Sequence, residues 1–520
     1  MPFRSPYPDV AVPDLPLPEF VFAGLGDAAG STAIIDGPSG RSYTYGQLDS
    51  FSKRVAGALA RRGLRKGDKF AILGPNLPEY AIAVHGVMRA GATVTTMNPL
   101  YTEQEIEHQL HDSEARFLLT IPMFLDKAAA AAKRCGIERV FTFGEAEGTE
   151  PFAALMAEEG AAPAVDINPA EDVAAMLYSS GTTGMPKGVM LTHRNLVAAL
   201  IQADKLFGEG PLTSLLFLPM FHIFGFHAVT NFDLLKRGTI VTMPRFDFEQ
   251  MLTLIEKHRV ERMCVVPPIV LAMVKSPLLE KYDTSSLKLV FSGAAPLDES
   301  LAAACEERLK GCMVRQGYGL TETSPPVCGH PLTGDRVRYG SVGPLVPNTE
   351  ARLVDLTTGE DATAGEPGEL WVRGPQIMKG YYRNVDATRG MMLDGGWLRT
   401  GDIARLDEEG WLYIVDRAKE LIKYKGLQVA PAELEAVLLS HPLIADAAVI
   451  GVPDEEAGEV PKAFVVTKGE ITAEQIQEFV ASQVAPYKKV RRVEFVEAIP
   501  KSPSGKILRR ILREHERAQS

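Results

Sequence analysis

The sequence predicts an α/β protein: a large N-terminal domain of layered α/β sheets with a β-rich subdomain, then a small, mobile α+β C-terminal domain. Three observations predict this. Helix and strand signals alternate from residue 43 to 120 and again after residue 190, the rhythm of parallel strands joined by covering helices. Between about 335 and 415 short β runs separated by Gly and Pro take over, and all three tryptophans, Trp371, Trp397 and Trp411, fall there. After Asp416-Arg417 the texture changes to a compact α+β unit of roughly 100 residues, long enough to fold alone.

The elements follow in chain order. Thr44 with Gln47 forms a capping box ahead of a helix from Tyr45 to Arg61. Lys66-Gly67-Asp68 is a turn, Phe70 to Leu73 a short apolar strand, and Glu79 to Ala90 a helix. Thr93 to Thr96 is a strand, Thr102 with Glu105 caps the next helix, and Arg116 to Thr120 is a strand again. After an apolar strand at Val173 to Leu177, the rhythm resumes. His193 to Phe207 and Phe248 to His258 read as helices. Thr213 to Leu218, Gly238 to Met243, Arg262 to Val266 and Leu287 to Ser292 read as strands. Glu350 to Val354, Gly368 to Val372 and Gly410 to Val415 are the β pieces of the subdomain. Beyond them, Pro431 to Ser440 and Thr472 to Gln483 are helical, and Ala445 to Gly451 and Ala463 to Val466 are strands. The expected organisation is therefore 1–415 (335–415 being the β-rich part), a hinge at 416–417, and 418–520.

Composition narrows the function. A chain of 520 residues exceeds one core. Its 46% hydrophobic and 23% charged residues are ordinary for a soluble enzyme. No apolar run of 18 residues predicts a transmembrane helix, the N-terminal stretch has no secretory h-region, and the last residues form no targeting tripeptide. Five scattered cysteines without a C-x-x-C pair read as buried, reduced thiols, which points to the cytoplasm. The net charge of −11 argues against nucleic acid as a partner. From Pro486 onward the balance reverses to 10 basic and 4 acidic residues. That tail reads either as an attractor for a phosphorylated ligand or as a solvated helix face.

One stretch carries the most chemistry: Tyr178-Ser179-Ser180-Gly181-Thr182-Thr183-Gly184-Met185-Pro186-Lys187-Gly188-Val189. Glycines let backbone N–H groups turn toward a ligand, and hydroxyls and a lysine add donors, which is what a polyphosphate needs. It is not a Walker A loop. Lys187 follows Pro186 rather than Gly, and no Ser or Thr follows to hold Mg²⁺. A kinase or switch NTPase is thereby disfavoured.

Four further stretches follow. They are Gln316-Gly317-Tyr318-Gly319-Leu320-Thr321-Glu322-Thr323, Gly401-Asp402 after Trp397, the run from Asp416 through Lys419 and Lys423 to Lys425-Gly426, and Pro500-Lys501-Ser502-Pro503-Ser504-Gly505-Lys506. In order and spacing the five together resemble the adenylate-forming superfamily, and within it most nearly the 4-coumarate:CoA ligases and their acyl-CoA synthetase relatives. The resemblance covers nearly the whole chain. It implies a two-step reaction that uses ATP, Mg²⁺ and CoA. A carboxylate attacks the α-phosphorus of ATP to give acyl-AMP and pyrophosphate, and a CoA thiolate then displaces AMP. Both halves develop negative charge, so such a site needs cations more than acids or bases.

The resemblance also implies roles. Glu322 binds Mg²⁺, and Thr321 meets the α-phosphate. Tyr318 stacks on adenine with Ala295, Gln316 and Gly317 nearby. Asp402 and Arg417 take the ribose, and Lys419 joins the nucleotide set. Lys506 is the catalytic lysine of adenylation. Lys423, beside Gln428, faces the site in the other domain orientation. Arg245, Lys425 and Gly426 contact CoA.

His222 gates the acyl pocket, which Phe224, Ala228, Ala294, Gly319, Pro325 and Pro326 line. Here the chain departs from the plant ligases, whose pattern has Tyr at the place of Phe224 and Ser at that of Ala228. Without those hydroxyls a 4-hydroxyl has no partner, so the expected substrate is a hydrophobic acid: a fatty acid, or cinnamate. No aspartate lies between Pro219 and Val229 to hold an amino-acid ammonium. An acyl carrier protein is the alternative acceptor to CoA, and a luciferase-like oxygenase remains a further use of the same fold.

Overall fold

The computed structural model describes residues 2–179, 186–207, 210–332, 337–363, 365–424, 427–454, 457–502 and 505–519. The site positions Ser180, Gly181, Thr182, Thr183, Gly184, Lys425 and Gly426 lie outside the described residues, as does the side chain of Gln428.

Two eight-stranded sheets make up the bulk of the protein. In the first, the strands Val173–Ser179, Thr93–Met97, Lys69–Leu73 and Ala115–Thr120 run parallel, and Lys187–Thr192 and Gly380–Tyr381 add antiparallel at one edge. In the second, Thr239–Thr242, Thr213–Leu216, Arg262–Val265, Leu289–Ser292 and Met313–Gly319 run parallel, with Pro326–Gly329 antiparallel at the edge. The central strands are apolar on both faces because helices cover both sides. Leu73, Ala71, Val94, Leu215 and Val290 are all buried.

The local signals act as read. Thr44 and Gln47 close a reciprocal capping box on Tyr45–Arg61, and Thr102 and Glu105 do the same for Glu103–Ser113. Helices His193–Phe207, Phe248–His258 and Pro431–Ser440 span the expected residues.

The β-rich part is a six-stranded sheet that includes Glu350–Val354, Gly368–Arg373, Trp397–Leu406 and Leu412–Arg417. The strand expected from Gly410 to Val415 is displaced toward the C-terminus. Gly410 takes the turn instead, at φ +86°, and the strand runs on through Asp416 and Arg417. Arg417 thus pairs in register with Asp402.

From Ile422 onward a five-stranded sheet builds its own core from Ile422, Leu434, Leu438, Val449, Val465 and Ile476. Much of the basic tail is paired within this unit. Lys488 meets Glu433 at 2.7 Å, Lys501 meets Asp446 at 2.6 Å, and Arg509 meets Glu435 at 2.7 Å. Those three charges are engaged within the fold and do not bear on a phosphorylated ligand.

Candidate active site

One cleft of about 810 Å³ lies between the two large sheets, lined from the first by Thr96 and Ser179 and from the second by Cys264, Gly293 and Gly317. The loop bearing Lys501, Ser502 and Lys506 closes it from the C-terminal unit. Gly505 allows that approach. Its φ is +77°, and a Cβ there would come to 3.0 Å from the side chain of Val266. Gly319 is needed for a harder reason, since a Cβ would sit 1.7 Å from the carbonyl oxygen of Pro325.

On the polar side, Tyr318 lies at the end of strand Met313–Gly319 and donates its hydroxyl to Asp402 Oδ2 at 2.5 Å. Arg417 Nε lies 3.6 Å from Asp402 Oδ1. Asp402 is 5% exposed, and burial raises its carboxyl pKa against the pull of Arg417. The carboxylate is oriented by a phenol and a guanidinium and lines the cleft, ready to accept from hydroxyl groups.

Glu322 lies in the short turn Thr321–Thr323 and is 7% exposed. Its Oε1 accepts from Ser179 at 2.9 Å and from Tyr381 at 2.8 Å. Lys187 Nζ stands 5.2 Å from the centre of the Tyr381 ring. Among the described residues, no three His, Cys, Asp or Glu gather as a metal cage. Mg²⁺ asks for less, namely one or two carboxylates plus phosphate oxygens. Glu322 fits that demand: it is a buried carboxylate on the cleft wall whose Oε2 accepts no hydrogen bond from the described residues.

Lys506 faces Arg417, Glu420, Asp402 and Glu322. Burial, with Arg417 adding to it, lowers its ammonium to about 8, while the three carboxylates pull the other way. Among the described residues the Lys506 ammonium makes no hydrogen bond or ion pair, so it is available to a developing phosphate charge. Burial, and next Lys506, push the His222 imidazole down to about 4, so the ring is neutral. The Phe224 backbone N–H donates to His222 Nδ1 at 3.3 Å, which assigns the proton to Nε2 and makes that atom a donor.

The apolar side has Phe224, Ala228, Ala294, Pro325 and Pro326 as expected. It also has residues that the sequence did not mark: Ala199, Leu200, Ala203 and Leu206 from helix His193–Phe207, with Phe232 and Phe291. These are ordinary core residue types, and nothing in their spacing separates a pocket wall from a packed interior.

The cleft gathers Ser179, Lys187, Gly317, Thr321, Arg417 and Lys419 with the groups above. Ala295, Gln316, Arg245 and Lys423 do not line it. Gln316 is turned away, its amide oxygen accepting from Leu297 N–H at 3.1 Å. Arg245 and Lys423 are exposed. Lys423 sits cross-strand from Gln428 in a hairpin, its backbone N–H on Glu459 at 2.8 Å.

Comparison with known proteins gives the family. Residues 26–382 match the AMP-binding enzyme family and residues 433–506 the AMP-binding enzyme C-terminal domain. The chain is 44% identical over 525 residues to 4-coumarate--CoA ligase 5 of Oryza sativa subsp. japonica, covering 98% of this chain and 96% of that protein. Its fold is similar to that of ATP-bound MatB from Rhodopseudomonas palustris, with TM-score 0.89, 32% identity, and coverage of 97% and 99%. It is also similar to the anthranilate CoA ligase AuaEII in complex with anthranoyl-AMP, with TM-score 0.89, 27% identity and 98% coverage of both.

Proposed function

This chain belongs to the AMP-binding enzyme family, and on that premise we propose the site roles and the acid that it takes. It is an ATP-dependent acid–thiol ligase, activating a carboxylic acid as acyl-AMP with release of pyrophosphate and passing the acyl group to CoA. The carrying observation is that Lys506, Glu322, Asp402 and Arg417 line one cleft that continues into an apolar pocket. Asp402 and Arg417 hold the ribose. Lys506 stabilises the charge that forms as the carboxylate oxygen meets the α-phosphate. His222, neutral with its proton on Nε2, donates toward the acyl carboxylate. Glu322 would hold Mg²⁺, which supplies charge neutralisation on the phosphates when bound.

The acid is hydrophobic in this reading. Phe224 and Ala228 offer no partner to a 4-hydroxyl, and an unpaired buried hydroxyl costs about 1–3 kcal/mol. CoA is the acceptor, and a pantetheinylated carrier protein is the alternative that a coupling assay separates from it. No described helix is long and apolar enough to cross a membrane, and a cytoplasmic location is part of the proposal, supported by five free cysteines.

The test is acid-dependent pyrophosphate release across fatty and aryl-propenoic acids. Octanoate and cinnamate should each show a higher kcat/KM than coumarate bearing the 4-hydroxyl. A clear lead for 4-coumarate would overturn the pocket argument, and no release with any acid would overturn the ligase assignment of the cleft.

A further inference from the structure

The segment 378–382 is tied by its backbone to both phosphate-side motifs. Met378 N–H donates to the Glu322 carbonyl at 2.9 Å, Lys379 N–H to Met190 at 2.9 Å, and Tyr382 N–H to Gly188 at 2.8 Å. Between these anchors, Gly380–Tyr381 adds as a two-residue strand to Lys187–Thr192, with Tyr381 in register with Val189. The side chain at the centre, Tyr381, is 5% exposed. Its hydroxyl reaches Glu322 Oε1 and its ring lies beside Lys187 Nζ.

We infer that Tyr381 is a positioning residue that holds Glu322 and Lys187 next to each other yet unpaired, so that one serves Mg²⁺ and the other the triphosphate. The inference rests on the ligase reading above. Two features of the geometry carry it. First, Tyr381 and Ser179 both donate to the same oxygen, Oε1. That fixes the rotation of the carboxylate and leaves Oε2 to the cleft. Burial and the adjacent carboxylate both raise the phenol's pKa, so the hydroxyl remains a donor. Second, among the described residues no ion pair joins Lys187 to Glu322. Lys187 meets the ring instead. An aromatic face attracts an ammonium without neutralising it, whereas a direct lysine–glutamate pair would occupy both charges before any ligand arrived.

The two arms of Tyr381 can be removed in turn. Tyr381→Phe deletes the hydroxyl and keeps the ring, and Tyr381→Leu deletes both. ATP affinity is measured by titration calorimetry with and without Mg²⁺, in the absence of acid. The Phe variant should lose about tenfold in the Mg²⁺-dependent part of ATP affinity. Its affinity for ATP without Mg²⁺ should stay at the wild-type value. The Leu variant should in addition lose about three- to tenfold without Mg²⁺, as Lys187 falls onto Glu322. Acyl-CoA formation from preformed acyl-AMP, which needs no triphosphate, should fall less than Mg²⁺-dependent ATP binding in the Phe variant, whose Tm should drop by only a few degrees for the lost hydrogen bond. A wild-type Mg²⁺ response in the Phe variant would overturn the inference and leave the ligase reading standing. So would an equal loss in every readout, which is the mark of a merely structural residue. Wild-type ATP affinity indifferent to Mg²⁺ would instead overturn the metal role of Glu322, and the inference with it.

Discussion

Lys506 shows how one residue's surroundings set what it can do. Its ammonium lies in a buried position beside Arg417, and its folded pKa of about 8 falls below the ordinary lysine value of 10.5. Below pH 8 the cation is present in both folded and unfolded chains, and the fold bears the full cost of burying it. As pH rises from 8 to 10.5 the unfolded chain holds the extra proton, and that cost is relieved. Activity runs the opposite way, because the charge that stabilises the transition state is lost over the same window. For adenylation, kcat/KM should therefore fall on the alkaline side with an apparent pKa of about 8, since this ratio reports the free enzyme. His222, at about 4, is neutral throughout pH 6–10 and contributes no limb. In Lys506→Arg the limb should move beyond pH 10, whatever the absolute rate, because guanidinium does not titrate there. Pyrophosphate release measured from pH 6 to 10 checks this, and a limb that stays at 8 in the Arg variant assigns it to another group. At this scale Glu322, Asp402 and Lys506 were reached through the resemblance of their motifs, because an Asp after Gly or a Lys in a Ser/Gly-rich loop is by itself an ordinary surface residue. The sequence was silent on Tyr381, one of two adjacent tyrosines with no motif around them, whose importance comes from contacts with residues 59 and 194 positions away in the chain.

Among the elements, the wall of the acyl pocket is the one that periodicity could not foresee. Phe224–Asn231 is a π-helix, a wide turn that tends to occur at functional sites. Side chains brace its carbonyls: Thr230 Oγ1 donates to Gly225 O at 2.8 Å, and Asn231 Nδ2 to Phe226 O at 3.0 Å. An apolar run of this length matches a strand, an α-helix or a π-helix equally well from its pattern alone. Capping boxes and buried parallel strands are different, because a Thr with Gln or Glu three residues on, or an unbroken apolar run between turns, states its geometry locally. The two-residue strand Gly380–Tyr381 was missed for the opposite reason, since its pairing partner is nearly 200 residues distant and no local pattern survives at that length. The π-helix places Phe224 and Ala228 on the cleft wall together. Phe224→Tyr combined with Ala228→Ser should shift the preference toward 4-coumarate and away from octanoate by about tenfold, the scale of one to two recovered hydrogen bonds. The check is the ratio of the two kcat/KM values, measured in the wild type and in the double variant. If the ratio does not move, the rest of the wall, at Leu206 and Phe232, sets the preference instead.

At the scale of the whole molecule, two lysines of the C-terminal unit stand in contrasting places. Lys506 lines the cleft, whereas Lys423 is exposed on the strand Ile422–Tyr424 and does not. We propose that 418–520 turns about Asp416-Arg417 to exchange them, because one site must first exclude water around ATP and later admit a thiol. Asp416 suits a hinge. It is the second-last residue of the last strand before the C-terminal unit, and its buried carboxylate accepts from Arg417 N–H at 2.7 Å and from Ala432 N–H at 2.9 Å, which joins that strand to the first helix beyond it. The five-stranded sheet beyond it has a core of its own and can move as a body. On this reading Lys506→Ala should slow acyl-AMP formation by roughly 10²–10³-fold, the scale of losing one electrostatic donor, yet still convert supplied acyl-AMP to acyl-CoA. Lys423→Ala should do the reverse, sparing adenylation and slowing thioester formation. Proline at 416 fixes φ and removes an N–H, so it should slow the half-reaction that needs the orientation not seen here, which is thioester formation, more than adenylation. Each half-reaction is assayed alone, by pyrophosphate release and by consumption of preformed acyl-AMP. Equal impairment of both halves by Lys506→Ala and by Lys423→Ala would mean that the two lysines serve one orientation, and the exchange would be wrong.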